Sequence, residues 1–185
     1  MDDRQQQGIT LVEVLLALGL LVLLITQAVP AFGQWLERQR LHSMARTLAA
    51  ELQQARQEAI VQGDSRPVYL HFRPGPGWCY GISRRPDCDC RQRDAAHPEA
   101  CLFTTRNVQR LTRRDAGPWP GITLIRAAFS QGASARFDPL RGLASAGRLE
   151  LENRYGDQLQ IRVSPLGRIR LCRPGARGAW GVEPC

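Results

Sequence analysis

The apolar run from Ile9 to Val29 constrains this chain most, interrupted only by Thr10, Glu13, Gly19, Thr26 and Gln27. A helix needs about 20 predominantly apolar residues to cross a bilayer core, so this run has spanning length. A secretory signal normally opens basic and puts a small-residue cleavage site after its apolar stretch. Here MDDRQQQG comes first, with Asp2 and Asp3 outnumbering Arg4. Glu13 is the one charge inside the run. A carboxylate in hydrocarbon costs about 2.5–3.5 kcal/mol on insertion scales, which marks Glu13 as functional and calls for a positive partner at the same depth.

Past Pro30 the apolar positions recur at helical spacing: Leu41, Met44, Leu48, Leu52, Ala55 and Ala59. Steps of three and four put them on one face, leaving Arg40, Arg46, Gln53, Arg56 and Gln57 largely elsewhere. The pattern predicts one long helix over about 9–62, with Gly63 as its stop. Its first half belongs to a membrane or filament core, and its second half packs on a globular head.

From Arg66 the period changes to two. Val68, Leu70 and Phe72 alternate with Tyr69, His71 and Arg73 as in a half-buried strand. Residues 74–77, PGPG, form a turn, and Trp78–Ser83 a second strand. Residues 84–100 read as a loop. Strands are expected at Leu102–Leu111 and Ile122–Phe129, around a Gly/Pro-rich break at 117–121. The remainder reads as a meander of Ala135–Phe137, Arg148–Asn153, Gln158–Ser164 and Arg168–Cys172. The fold class expected is α+β, a long N-terminal helical spine packed on an antiparallel β-sheet head.

The formal net charge is +8 and every one of the 25 basic residues is arginine. That balance favours acidic partners, and guanidinium meets phosphate through a planar fork rather than as a point charge. His42, His71 and His97 are scattered, with no nucleophile, phosphate loop or paired carboxylates to accompany them. The sequence therefore points away from an enzyme and implies no cofactor.

Six cysteines (Cys79, Cys88, Cys90, Cys101, Cys172 and Cys185) are many for a reducing compartment. Cys88 and Cys90 are too close to pair comfortably with each other. Cys172 with Cys185 is the preferred pair, closing the tail, while the other four can staple the 79–101 loop. A zinc site from Cys88, Cys90 and Cys101 is the alternative, although the spacing fits no standard ligand pattern.

The segment QIRVSPLGRIRLC is the most informative part of the head. Pro165-Leu166-Gly167 suits a three-residue hairpin loop closed by glycine in the left-handed region. That loop sets Ser164 opposite Arg168, Val163 opposite Ile169, Arg162 opposite Arg170 and Ile161 opposite Leu171. The apolar four share one face, and Arg162, Arg168 and Arg170 the other. Directly opposed like charges destabilise a strand pair, so the cluster suggests an anionic partner. From Arg162 to Cys185 there are five arginines, including Arg173 and Arg177, against Glu183 alone. Arginines 106, 110, 113 and 114 are candidates to extend the patch.

GITLVEVLLALGLLVLLITQAVP resembles the type IV prepilin signature, in which cleavage after a glycine leaves a hydrophobic first residue and a glutamate fifth. Glu13 is fifth after Gly8. The resemblance implies that a prepilin peptidase cuts Gly8–Ile9 and methylates the new amine, and that Glu13 pairs with the N-terminus of a neighbouring subunit. It also implies a leader over 1–8, a membrane or filament-core segment over 9–30, an amphipathic half-helix over 31–63 and a head over 64–185. Ile9 departs from the usual phenylalanine, and the leader is not basic.

The C-terminal end resembles the FimT/GspH family of minor pilins and pseudopilins, and GRIRLC the Gly-Arg-x-Arg motif of its FimT branch. Carried over, the motif positions are Gly167, Arg168 and Arg170, and the implied ligand is extracellular DNA taken up in natural transformation. Arg162, Arg173 and Arg177 would join them. The implied setting is the inner membrane, head outward, and then a pilus or pseudopilus among other pilins. The competing expectation is a structural minor pilin or type II secretion pseudopilin that binds no DNA.

Overall fold

The computed structural model describes residues 10–61, 66–105, 108–175 and 181–185. Helix α1 runs Leu11–Val61 and carries Pro30 within it. Proline lacks the N–H that would bond one turn back. Near that gap the Thr26 hydroxyl donates to the Leu23 carbonyl at 2.9 Å. The predicted stop at Gly63 and the leader both lie outside the described residues.

The chain divides into two compact units, residues 1–36 and 37–185. In the first, the helix side chains from Leu11 to Phe32 are all exposed, and Phe32 stacks on Trp35 at 5.6 Å. In the second, Leu41, Met44, Leu48, Leu52, Ala55 and Ala59 are buried, the stripe expected from their spacing. Removing an aliphatic side chain of this kind from water is worth about 1.5–3 kcal/mol, so this stripe is what holds the helix to the sheets.

Ten strands follow: β1 Val68–Arg73, β2 Cys79–Ser83, β3 Leu102–Thr105, β4 Val108–Leu111, β5 Arg113–Asp115, β6 Ile122–Phe129, β7 Ser134–Phe137, β8 Gly147–Asn153, β9 Gln158–Val163 and β10 Ile169–Cys172. They form a sheet ordered β5-β2-β1-β7, a second ordered β10-β9-β8-β6, and the separate hairpin β3-β4. All strand pairs are antiparallel. This is the pilin-like α+β fold.

One core joins the helix stripe to both four-stranded sheets, drawing in Leu70 and Phe72 from the first and Leu124, Leu149 and Ile161 from the second. Trp78 is almost fully buried, and its indole N–H donates to the Ile122 carbonyl at 2.8 Å, tying the sheets together.

Two expectations need correction, and one strand was not foreseen. Leu102–Leu111 is not one strand but two, paired from Leu102–Leu111 to Thr105–Val108; with polar residues at its centre, the segment folds back on itself. Ala135–Phe137 does not belong to the meander, because β7 leaves it to pair with β1. The polar triplet of β5 shows no alternation, yet it closes the edge of β2, with Tyr80 opposite Arg114.

Disulfides join Cys79 to Cys90, Cys88 to Cys101 and Cys172 to Cys185. With all six cysteines bonded, no thiolate remains for zinc. Gly81 in β2 is shaped by this knot: a Cβ there would come 2.5 Å from the Cys101 sulfur.

Candidate functional site

The C-terminal hairpin has the register its loop predicts. Val163 faces Ile169, Arg162 faces Arg170 and Ile161 faces Leu171. Ser164 donates its N–H to the Arg168 carbonyl at 2.9 Å, and its hydroxyl accepts the Arg168 N–H at 3.1 Å. Gly167 closes the turn at φ 74°, in the region that glycine enters without steric penalty.

The loop is fixed from outside as well. The Pro165 carbonyl accepts the Ala144 N–H, and Arg56 on the helix donates from Nε to the Gly142 carbonyl at 3.1 Å. A Cβ on Gly167 would lie 2.4 Å from Arg56 Nε and 2.5 Å from the Gly142 oxygen. Arg56 is thus a positioning residue that sequence reasoning placed merely on the polar side of the helix. No short-range signal links it to a hairpin more than a hundred residues on.

The apolar side of the hairpin faces the core, with Ile161 and Val163 buried. Arg162, Arg168 and Arg170 are exposed. They line a shallow cavity of about 480 Å³ together with Gly147, Val163, Ser164 and Leu166. Arg162 donates to the Gln160 side-chain oxygen at 3.4 Å and to the Cys185 main-chain oxygen at 3.2 Å. The guanidiniums of Arg168 and Arg170 make no hydrogen bond or ion pair among the described residues. Three cations in one concavity, two of them unpaired, leave phosphate-binding capacity unused by the fold.

The tail is held beside this face. Cys185 donates its N–H to the Arg173 carbonyl at 2.9 Å, and Arg173 donates its own N–H to the Glu183 carbonyl. The Cys172–Cys185 disulfide closes the same ring. Arg177 lies outside the described residues, as do Gly8 and Ile9.

The other arginines do not simply continue the patch. Arg113 is spent on Asp115 at 2.8 Å and on the Cys90 carbonyl, and Arg114 pairs with Glu51 at 3.4 Å. Both lie in β5, on the first sheet, and Arg110 lies in β4 of the separate hairpin. Arg106 is outside the described residues. Glu13 is exposed on the first turn of the helix, where its N–H bonds the Thr10 carbonyl and hydroxyl.

His71 is structural. His71 sits between the Arg85 carbonyl at Nε2, 3.1 Å, and the Ser134 hydroxyl at Nδ1, 2.9 Å. A carbonyl can only accept, so Nε2 carries the proton and Nδ1 accepts from Ser134. Burial holds its pKa below the usual imidazole value, against the opposing pull of that carbonyl and Asp87. No group of three or more His, Cys, Asp or Glu among the described residues is placed to hold a metal.

Compared with known families, residues 44–167 match the one described as Type II transport protein GspH. No curated protein and no solved structure matches the chain. The matched stretch takes in the head-packed part of the helix and the sheets as far as the motif glycine. It stops one residue short of Arg168 and begins well after Glu13, so neither Arg168 and Arg170 nor Glu13 belongs to what the match covers. Matched over two-thirds of its length and built on the pilin-like fold, the chain belongs to the GspH family of pseudopilins and minor pilins, structural proteins rather than enzymes.

Proposed function

We propose that this protein is a minor subunit of a pilus or pseudopilus, held in the inner membrane by the first half of its helix and packed by the same helix into the filament. One observation carries the reading: the apolar side chains from Leu11 to Val29 are exposed without interruption. Leaving so many large aliphatic groups in water is untenable at about 1.5–3 kcal/mol each. Lipid covers them before assembly, and neighbouring helices cover them afterwards. Glu13 then has a reason to sit in an apolar stretch, as the partner of a neighbouring N-terminal amine.

The test is made in the native cell. Gly8→Val should leave an uncleaved, slower-migrating chain, and Glu13→Val a cleaved chain that stays in the membrane fraction and is missing from sheared filaments. Normal filament incorporation of Glu13→Val would overturn the role given to that glutamate. Incorporation of both variants would overturn the reading.

A second reading rests on a separate observation, the unpaired guanidiniums of Arg168 and Arg170 beside Arg162: the head binds DNA phosphates. Contacts of this kind read no base and release counterions, so affinity should fall steeply with salt. Full-length protein in non-ionic detergent, titrated against labelled duplex DNA, should lose most affinity on Arg168→Gln with Arg170→Gln. Undiminished binding by that folded double variant would remove the hairpin as the DNA site, and no binding by the parent chain would leave only the structural role.

A further inference from the structure

The register across the second sheet carries the arginine cluster one strand further than the hairpin. Arg170 in β10 faces Arg162 in β9, and Arg162 on its other side faces Arg148 in β8. Directly paired residues project from the same face, so Arg148, Arg162 and Arg170 form a row perpendicular to the strands. Neighbouring strands lie about 4.7–4.9 Å apart, so the three backbones span roughly 10 Å. Ala128 in β6 ends the row.

Like charges directly opposed across strands oppose pairing; among the described residues a side-chain carboxylate meets this row at one end, while Arg162 in its middle has the Gln160 and Cys185 oxygens. Arg148 places Nε 2.7 Å from the Glu150 carboxylate, two residues along on the same face. Glu150 also accepts from the Gln160 side chain at 3.3 Å and stands directly opposite Arg126, which is exposed and makes no hydrogen bond or ion pair among the described residues. Glu150 is therefore one carboxylate among Arg126, Arg148 and Arg162, with Arg170 at the far end left unneutralised.

We propose that Arg148 is a further phosphate-contacting residue, that the ligand strand crosses β8, β9 and β10 along this row, and that Glu150 is an internal competitor which the phosphate displaces. The inference rests on the DNA-binding reading and adds a direction, a residue and an opposing charge to it. When bound, a phosphate takes the place of the Glu150 carboxylate on Arg148, one anionic partner exchanged for another. The Arg148 side chain is 42 % exposed and that of Glu150 15 %, so water screens the pair from the arginine's side, where the phosphate arrives.

The experiment is a double-variant cycle on the full chain in non-ionic detergent, with labelled duplex DNA over a salt series. Arg148→Gln should weaken binding several-fold at low salt and lower the slope of log affinity against log salt by about one. Glu150→Gln should tighten binding by about threefold, the scale of one partly exposed ion pair. In the Arg148→Gln background, Glu150→Gln should have little effect, because the contact it liberates is gone. If Glu150→Gln tightens binding equally in both backgrounds, the glutamate acts only through net charge and the competitor role falls. If Arg148→Gln leaves affinity and slope unchanged while Arg168→Gln with Arg170→Gln abolishes binding, the row is wrong and the DNA-binding reading stands. If the unmodified chain binds no DNA at any salt, both fall together. Thermal unfolding of each variant separates lost contacts from lost structure.

Discussion

Gly167 and Arg56 are in contact across the head: the motif glycine has no room for a side chain because the helix arginine already fills the space, with Nε 2.4 Å from where a Cβ would be. Arg56 is anchored there by the Gly142 carbonyl. The hairpin loop is thereby pinned to α1 by a glycine whose φ of 74° independently disfavours any other residue. Gly167→Ala should destabilise the head by about 1–3 kcal/mol from backbone strain and the overlap together. Denaturant unfolding followed by near-ultraviolet circular dichroism measures it. Arg56→Ala combined with Gly167→Ala should recover part of the loss, since the Gly142 oxygen at 2.5 Å remains.

Glu37 is buried at 4 % exposure and accepts from Arg40 and Arg154, each at 2.8 Å. Arg154 comes from the turn after β8, so this carboxylate bolts the helix to the sheet. Hydrogen bonds to a charged group are worth about 1.5–3 kcal/mol where buried and less where the partners meet water, as both arginines do. Glu37→Gln should lower stability by about 1–2 kcal/mol. Arg154→Gln should do the same, and the double variant should lose less than the sum.

Removal of the tail disulfide by Cys172→Ser with Cys185→Ser should cost about 3 kcal/mol on the chain-entropy account, given its separation of 13 residues. The Cys185 main-chain oxygen would also leave Arg162. Limited proteolysis at Arg173 should be faster in this variant than in the parent chain.

Burial lowers the pKa of His71, and burial followed by the charge of Arg46 lowers that of His42. A histidine whose folded pKa lies below its unfolded value of about 6.5 takes up its proton more readily when unfolded. Stability is therefore full above that value and is lost as pH falls through the folded value. Unfolding free energy should begin to drop as pH falls through about 6.5, above the range in which ordinary carboxylates titrate. His71→Gln should flatten part of that slope. A flat profile in the parent chain would contradict the assignment.

Legibility in the sequence followed the range of the interactions. The stripe from Leu41 to Ala59 and the hairpin around Pro165-Leu166-Gly167 are set by local periodicity and turn chemistry, and both stand as read. The boundary inside Leu102–Leu111 was lost because no Gly or Pro stands between β3 and β4 to mark it. β5 was lost because Arg113–Asp115 is an edge strand without an apolar face. At the site, Arg162, Arg168 and Arg170 are neighbours through one short loop and so could be placed together. Arg56 and Arg148 reach the same region through helix packing and the β8–β9 register, neither of which leaves a local mark.

The two disulfides of the first sheet interleave: Cys88 lies between Cys79 and Cys90, and Cys90 between Cys88 and Cys101. Any single peptide-bond break between Cys79 and Cys101 is therefore bridged by at least one of them. The stretch from Arg91 to Glu99, mostly exposed and with little apolar packing, can be nicked by a protease without the fragments separating. A scission there would show only once the chain is reduced. Damage at this exposed loop of the head is thus contained by covalent connectivity rather than prevented by burial.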